Sequence, residues 1–533
     1  MSRFFFLLIC LMSLSAAVVA QKAPAYEDVS EMPGGVLGQR IEALINTINS
    51  DNPKLIKQFI LEQTSAEFRD AFPMEEHIMV FRDLFRQTGG LTFHSIRRYT
   101  PARNDQTVVI AQNYYYKGWD GLILKLDARD KISSLEFAPA RVPTNLDKTD
   151  ESLSTKDNIY EVESLMERLC TKDVFSGAVL IGTADEIYYQ YACGEASKGF
   201  HVPNTVQTKF NLGSMNKMFT SVAILQLVDK GLIAYDDKLS KYLDETWLPR
   251  SISDKITIHH LLTHTSGLGS YFNETFWKSS REMFRKLDDY KPLVQGEKLA
   301  FEPGEKYQYS NTGMLLLGVV IEKAMNTDYF EYIQESVYNP ARMLNTDCYD
   351  LDQVVENLAE GYIPSASSPS GWENNTFKHV IKGGPAGGGY STVQDLYYFA
   401  KVLLAGKWLN PKTQEKMWTD HSGAGYGYGF SVEATDYGTV VGHSGGFPGL
   451  NSNLDILLNN GYIIVVMSNY DQGAMRLSQR LRQMFQADDT GKSGKEGSAD
   501  KSDGAVGGDN PGKGGNTTKT GSTSKGGKSG EKQ

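Results

Sequence analysis

Phe210-Asn211-Leu212-Gly213-Ser214-Met215-Asn216-Lys217-Met218-Phe219-Thr220-Ser221 runs on through Ile224, Leu225, Leu227 and Val228 to a stop at Gly231. The periodicity predicts one long amphipathic helix headed by Ser214. Three residues apart on a helix, Ser214 and Lys217 project from neighbouring positions on one face. A helix N-terminus favours negative charge, so a serine there stands where an alkoxide or tetrahedral oxyanion would be stabilised. The Ser-x-x-Lys pattern alone carries little weight, because it recurs at Ser498 with Lys501, Ser522 with Lys525 and Ser529 with Lys532. Those three lie in a Gly-, Ser- and Lys-rich stretch without hydrophobic periodicity; only Ser214 heads an apolar helix.

A second element is Phe301-Glu302-Pro303-Gly304-Glu305-Lys306-Tyr307-Gln308-Tyr309-Ser310-Asn311, ahead of the apolar run from Met314. Pro303-Gly304 sets a turn, and Tyr309-Ser310-Asn311 falls on the loop entering a buried helix. Tyr271-Phe272-Asn273 has the same spacing but lacks both the turn and the helix. The third element is Thr439-Val440-Val441-Gly442-His443-Ser444-Gly445-Gly446, a β-branched run with a glycine-rich stop, which places His443 at a strand end. Asn453–Leu458 and Tyr462–Met467 flank Asn460-Gly461, a hairpin signal. His421-Ser422-Gly423 mimics the third element from a loop-like segment and reads as a solvated histidine.

Taken in this order, the three elements resemble the serine β-lactamase and penicillin-binding-protein superfamily, whose Ser-x-x-Lys signature is well defined. Tyr-Ser-Asn and His-Ser-Gly are similar to the branch holding class C β-lactamases, D,D-peptidases and esterases. Ile258–Leu268 (IHHLLTHTSGL) and Gly387–Leu396 are similar to framework segments of that branch, and Ser391 with Gln394 is expected to cap the helix that follows. The resemblance spans roughly residues 160–485. It implies an α/β (α+β) fold, with an antiparallel sheet flanked by helices and an all-helical lobe. It further implies that Ser214 is acylated, that Lys217 and Tyr309 form the proton-transfer pair, and that the backbone N–H groups of Ser214 and Gly446 form the oxyanion hole. Asn311, Ser444 and Gly445 would bind substrate, with no metal or cofactor. Which of Lys217 and Tyr309 takes the proton stays open at this level. Many β-lactamases carry a lysine at the His443 position, and an imidazole with a pKa near 6.5 is mostly neutral at pH 7. The implied activity is therefore hydrolysis of esters or of D-amino-acid peptides and amides, with β-lactam hydrolysis, or wall-peptide binding with weak catalysis, as the alternatives.

The rest of the 533 residues frames this region. Arg3 and the apolar run Phe4–Val19 read as a signal peptide cut after Ala20 (1–20), which predicts a secreted or periplasmic protein without a membrane anchor. Helical spacing at Ile41, Leu44, Ile45 and Ile48 and at Leu55, Ile56, Phe59 and Ile60, with a further helix over 74–86, precedes two-residue periodicity over 91–99, 106–116, 122–126 and 131–137. That pattern predicts a small α+β module over 33–138, similar to NTF2-like domains and expected to shape substrate access. A linker (139–157), the hydrolase-like domain (158–486) and a disordered tail (487–533) follow. The net charge of -10 offers no basic footprint for nucleic acid, so the expected partners are small-molecule or peptide substrates, cell-wall peptide included. Cys10 leaves with the signal. Cys170, Cys193 and Cys348 permit at most one bridge and read as buried small apolar residues. His259, His260 and His264, at helical spacing without an acidic companion, read as framework packing.

Overall fold

Ile41, Leu44 and Ile48 fall on one stripe of helix α1 (Gly35–Asn49), and all three are fully buried. The computed structural model describes residues 25–102, 105–146, 154–365, 368–471 and 473–487. The expected signal peptide, part of the linker and nearly all of the tail, with its three further Ser-x-x-Lys matches, lie outside the described residues. Asn52 caps helix α2 (Pro53–Gln63), which begins on a proline. Helix α3 (Met74–Thr88) stops at left-handed Gly89. These helices pack on a five-stranded antiparallel sheet of order β1-β2-β3-β4-β5: Ala25–Val29, Leu91–Thr100, Thr107–Asn113, Trp119–Leu126 and Ile132–Pro139.

Strand β1 was not anticipated, for a physical reason. Its anchor is polar rather than an apolar alternation: buried Asp28 pairs with Arg97 at 2.9 Å and accepts from the Thr144 backbone N–H at 2.9 Å.

The second sheet, also antiparallel, has six strands in the order β8-β9-β10-β11-β6-β7. In chain order these are β6 (Gly177–Gly182), β7 (Ile187–Cys193), β8 (Ser431–Thr435), β9 (Gly438–Phe447), β10 (Leu450–Leu457) and β11 (Ile463–Ser468). Helices α4 (Thr155–Thr171) and α8 (Gly473–Phe485) cover one face through Val162, Leu165, Leu477 and Leu481. The other face meets the larger core, to which α5 (Asn216–Asp229), α6 (Asn311–Met325) and α7 (Val393–Leu404) contribute. Thr392 rather than Ser391 caps α7, accepting from the Asp395 backbone N–H.

The cysteine reading needs correction. Cys170 and Cys193 form a disulfide between the end of α4 and the end of β7, while Cys348 stays free and buried. Only the tertiary arrangement brings the two thiols together. Among the described residues, no helix is long and apolar enough to cross a membrane.

Candidate functional site

Gly213 adopts a positive φ of 50°, and a 3-10 turn over Gly213–Met215 feeds directly into α5. Ser214 is therefore half-buried at the mouth of the helix rather than inside its first α-turn. A β-carbon on Gly213 would lie 2.9 Å from the Gly446 nitrogen, and one on Gly445 only 1.9 Å from the Leu212 carbonyl oxygen. Glycines at these places let the end of β9 approach the Ser214 turn backbone to backbone.

Strand β8 pairs only with Gly438–Gly442 of β9, which leaves the edge from His443 to Phe447 unpaired on that side. Gly446 is exposed there. His443 accordingly lies in mid-strand, not at a strand end. The glycines do not stop β9, because β10 continues the ladder through Gly445↔Ser452 and Gly446↔Asn451.

Lys217 is wholly buried; its Nζ donates to Asn311 Oδ1 at 2.9 Å and to the Ala386 carbonyl. It also sits 4.8 Å from the centroid of the Tyr309 ring. Burial holds its pKa well below the usual lysine value. Burial also raises the Tyr309 phenol, an effect opposed by a hydrogen bond with Ser214. Asn311, whose Nδ2 donates to Ser270 Oγ at 3.1 Å, has a second amide hydrogen to offer a ligand.

The His443 ring has one self-consistent assignment. Nδ1 faces the Ser444 carbonyl oxygen at 2.6 Å and must donate, so Nε2 accepts from Tyr426 Oη at 3.0 Å. Burial first, and nearby Lys217 second, lower its pKa to about 3. The imidazole is neutral across the physiological range. Ser444 is half-buried beside it, with Gly445 and Gly446 following on the same strand.

Two neighbours of this centre were not expected there: Tyr426 drew no reading from the sequence, and His264 was read only as framework packing. Tyr426 comes from a Gly-Tyr-Gly-Tyr-Gly run before β8. His264 comes from the IHHLLTHTSGL segment, where its Nδ1 accepts from the Ser310 backbone N–H at 3.2 Å. The His264 ring lies 4.5 Å from that of Tyr309 and 4.6 Å from that of Tyr426. His260 completes a capping box with Thr257, and the His259 Nδ1 bonds Tyr428 Oη at 2.9 Å, which gives both histidines framework roles. His421 is not simply solvated: its ring stacks on Tyr428 at 4.3 Å.

Comparison with known proteins identifies the fold and the family. The Beta-lactamase family model matches residues 162–489. Penicillin-binding protein 4* of Bacillus subtilis (strain 168) is 28% identical over 343 residues, 60% of this chain and 75% of that protein. The crystal structure of a penicillin binding protein from Bacillus halodurans superposes with a TM-score of 0.56 at 31% identity, over 61% of this chain and 99% of the other. The D-amino acid amidase of Ochrobactrum anthropi SV3 shares the fold with a TM-score of 0.53 at 19% identity, over 62% of this chain and 98% of its own. With the family model spanning more than half of its length, the chain belongs to the beta-lactamase family.

Proposed function

We propose that this chain is a secreted serine hydrolase that works through an acyl-enzyme on Ser214, acting on esters and D-amino-acid amides or peptides in preference to β-lactams. One observation carries the reading. Lys217, three residues on from Ser214, is buried with its Nζ 4.8 Å from the Tyr309 ring centroid and bonds an amide oxygen and a backbone carbonyl, not a carboxylate. Burial lowers its pKa well below the usual lysine value and so favours the neutral amine, the form able to take the Ser214 proton as Ser214 Oγ attacks the carbonyl carbon. Tyr309 keeps its proton until it passes it to the leaving group, and the Lys217 ammonium then reprotonates the phenolate. Water repeats the sequence in reverse to release the acid. The backbone N–H groups of Ser214 and Gly446 hold the oxyanion, each donor worth about 3–4 kcal/mol. Neutral His443 offers no fixed charge to a β-lactam carboxylate, and this sets the order of preference.

The leaving group must sit on the Tyr309–His443 side to receive its proton. The acyl group then extends along β9 toward Phe447, about 13 Å beyond His443 at 3.3 Å per residue. The loop from Gly269, tied to Ser310 and Asn311 through Gly269 O and Ser270 Oγ, brings Phe272 to 5.6 Å and Trp277 to 6.3 Å from the Phe447 ring. All three rings are half-buried. They form an apolar wall suited to an aromatic or aliphatic acyl group.

Intact mass after treatment with a fluorophosphonate should show one adduct, absent in Ser214→Ala. Turnover of p-nitrophenyl esters should rise from acetate to phenylacetate and exceed turnover of a cephalosporin. Lack of an adduct on folded protein would overturn the acyl-enzyme, and a faster cephalosporin would overturn the substrate order.

A further inference from the structure

The turn joining β9 to β10, Pro448-Gly449, begins two residues after Gly446, and three side chains grip it and the strand end beside it. The Gly449 N–H donates to the carboxylate of Asp471. Asn375 Nδ2 donates to the Pro448 carbonyl at 2.9 Å. Asn451 donates through Nδ2 to the Gly445 carbonyl at 3.0 Å, while its Oδ1 accepts from the Met475 backbone N–H at 2.7 Å. Through Asp471 and Met475 the oxyanion strand is thus fastened to the opening of α8.

The opposite side of the same segment meets the N-terminal module. Arg476, one residue beyond Met475, forms an ion pair with buried Asp120 of β4 and donates from Nε to Gln87 of α3 at 3.2 Å. Arg86 of α3, itself paired with Asp83 at 2.6 Å, places its guanidinium 5.3 Å from the centroid of the Trp372 ring. Trp372 stacks at 4.3 Å on Tyr470, the residue before Asp471. Tyr116, on the segment between β3 and β4, is buried in the apolar cluster that α4 and α8 share. Arg168 of α4 donates from Nε to the Tyr115 carbonyl at 3.2 Å. Ion pair, cation–π contact and apolar anchor converge on Tyr470 and on the opening of α8 from Gly473 to Arg476.

We propose that the N-terminal module is a positioning element of the catalytic centre: it braces Tyr470 and the opening of α8 at Arg476, and Asp471 and Asn451 transmit that brace to the oxyanion strand at Gly445–Gly449. Asp471 acts through the Gly449 backbone and is a positioning residue, since it has no contact with the reacting atoms. This role goes beyond shaping the approach of substrate. A module that only screens substrates would affect large ones and spare small ones, whereas a displaced oxyanion donor slows every acylation. The inference rests on the acyl-enzyme reading above. A donor held by a pre-set turn costs no reorganisation at the moment of reaction, and losing one outright slows acyl transfer about 10²–10³-fold. A loosened donor is expected to cost part of that.

The test uses the full chain with Asp471→Ala, Asp471→Asn and Arg86→Ala. The readouts are the rate of fluorophosphonate labelling at Ser214, kcat and KM for p-nitrophenyl acetate and for a D-alanyl-D-alanine peptide, and the melting temperature. Asp471→Ala is expected to slow labelling and lower kcat on both substrates by about tenfold or more, with KM within twofold. Asp471→Asn keeps an acceptor for the Gly449 N–H and is expected to recover most of the rate. Arg86→Ala, on the module side, is expected to lower kcat about threefold on both substrates. A folded Asp471→Ala that labels at the wild-type rate, or a loss confined to the peptide, overturns the proposal. Should Asp471→Ala fail to fold, Arg86→Ala decides, and unchanged kcat there overturns it equally. Wild-type labelling that disappears in Ser214→Ala shows separately that the acyl-enzyme reading stands.

Discussion

At the scale of single residues, the proposed centre is built from buried groups whose charged forms burial disfavours. Lys217 is the clearest case, since the unfolded chain holds this amine protonated at pH 7 while burial in the fold disfavours its charged form. Its folded pKa is depressed, so the unfolded state binds more protons, and the stability conceded at this site grows as pH falls from about 10.5 toward the folded value. Lys217→Met, of similar length and without charge, is expected to abolish turnover yet raise the melting temperature at pH 7. The gain should shrink at pH 10, where an unfolded lysine is itself partly neutral. Equal melting temperatures for the two proteins at pH 7 would show that Lys217 carries no such cost. Ser214, Lys217, Tyr309 and His443 were legible because short motifs with fixed spacing name them. Tyr426 was not, and His264 was read only as framework packing, because their places beside the centre depend on partners 17 and 46 residues away, His443 and Ser310. The neutrality of His443 was half-legible: imidazole chemistry allowed it, and burial with a Tyr426 donor makes it firm.

At the scale of elements, periodicity located α1 to α3, β2 to β5, β10 and β11 to within about three residues, while α4, α8, β6 to β8 and what happens along strand edges escaped it. The glycines after His443 read as a strand stop. In the fold they are a strand that needs no side chains, because the Ser214 turn lies against it. The local pattern for a stop and for a close approach is the same, and only the partner distinguishes them. Strand β1 shows the converse, a real strand whose polar anchor at Asp28 leaves no apolar alternation to read. The two glycines of β9 give a sharp contrast. Gly445→Ala would drive its β-carbon to 1.9 Å from the Leu212 carbonyl oxygen, whereas the nearest atom to one on Gly446 is Asn451 Nδ2 at 3.7 Å. Gly445→Ala is expected to cost about 3 kcal/mol or more in chemical denaturation and to lose activity, while Gly446→Ala, which keeps its N–H, stays near wild type on both counts. Equivalent behaviour of the two variants would mean that β9 does not press against the Ser214 turn.

At the scale of the whole molecule, the six-stranded sheet separates chemistry from fastening. Strand β9 and the Ser214 turn lie at one side of the sheet order, and β6 and β7 close the other. There the Cys170–Cys193 bridge ties the end of α4 to the end of β7 across 23 residues of sequence. An odd cysteine count allowed this pair without naming it, because only the antiparallel pairing of β6 with β7 carries Cys193 back to the helix end, through Gly177↔Cys193. A bridge closing a loop of that length restricts the unfolded chain by about 3 kcal/mol. Its removal through Cys170→Ser with Cys193→Ser should therefore lower the melting temperature by about 6–12 °C at ~2–4 °C per kcal/mol. Catalysis is expected to respond differently, because the Ser214 turn, Lys217 and β9 are held by contacts that do not pass through β7. At 25 °C, kcat for p-nitrophenyl acetate should stay within twofold of wild type while the melting curve moves down. A fall in kcat matching the loss of stability would show that the far edge of the sheet is coupled to the catalytic edge, and an unmoved melting curve would show that the bridge restricts nothing.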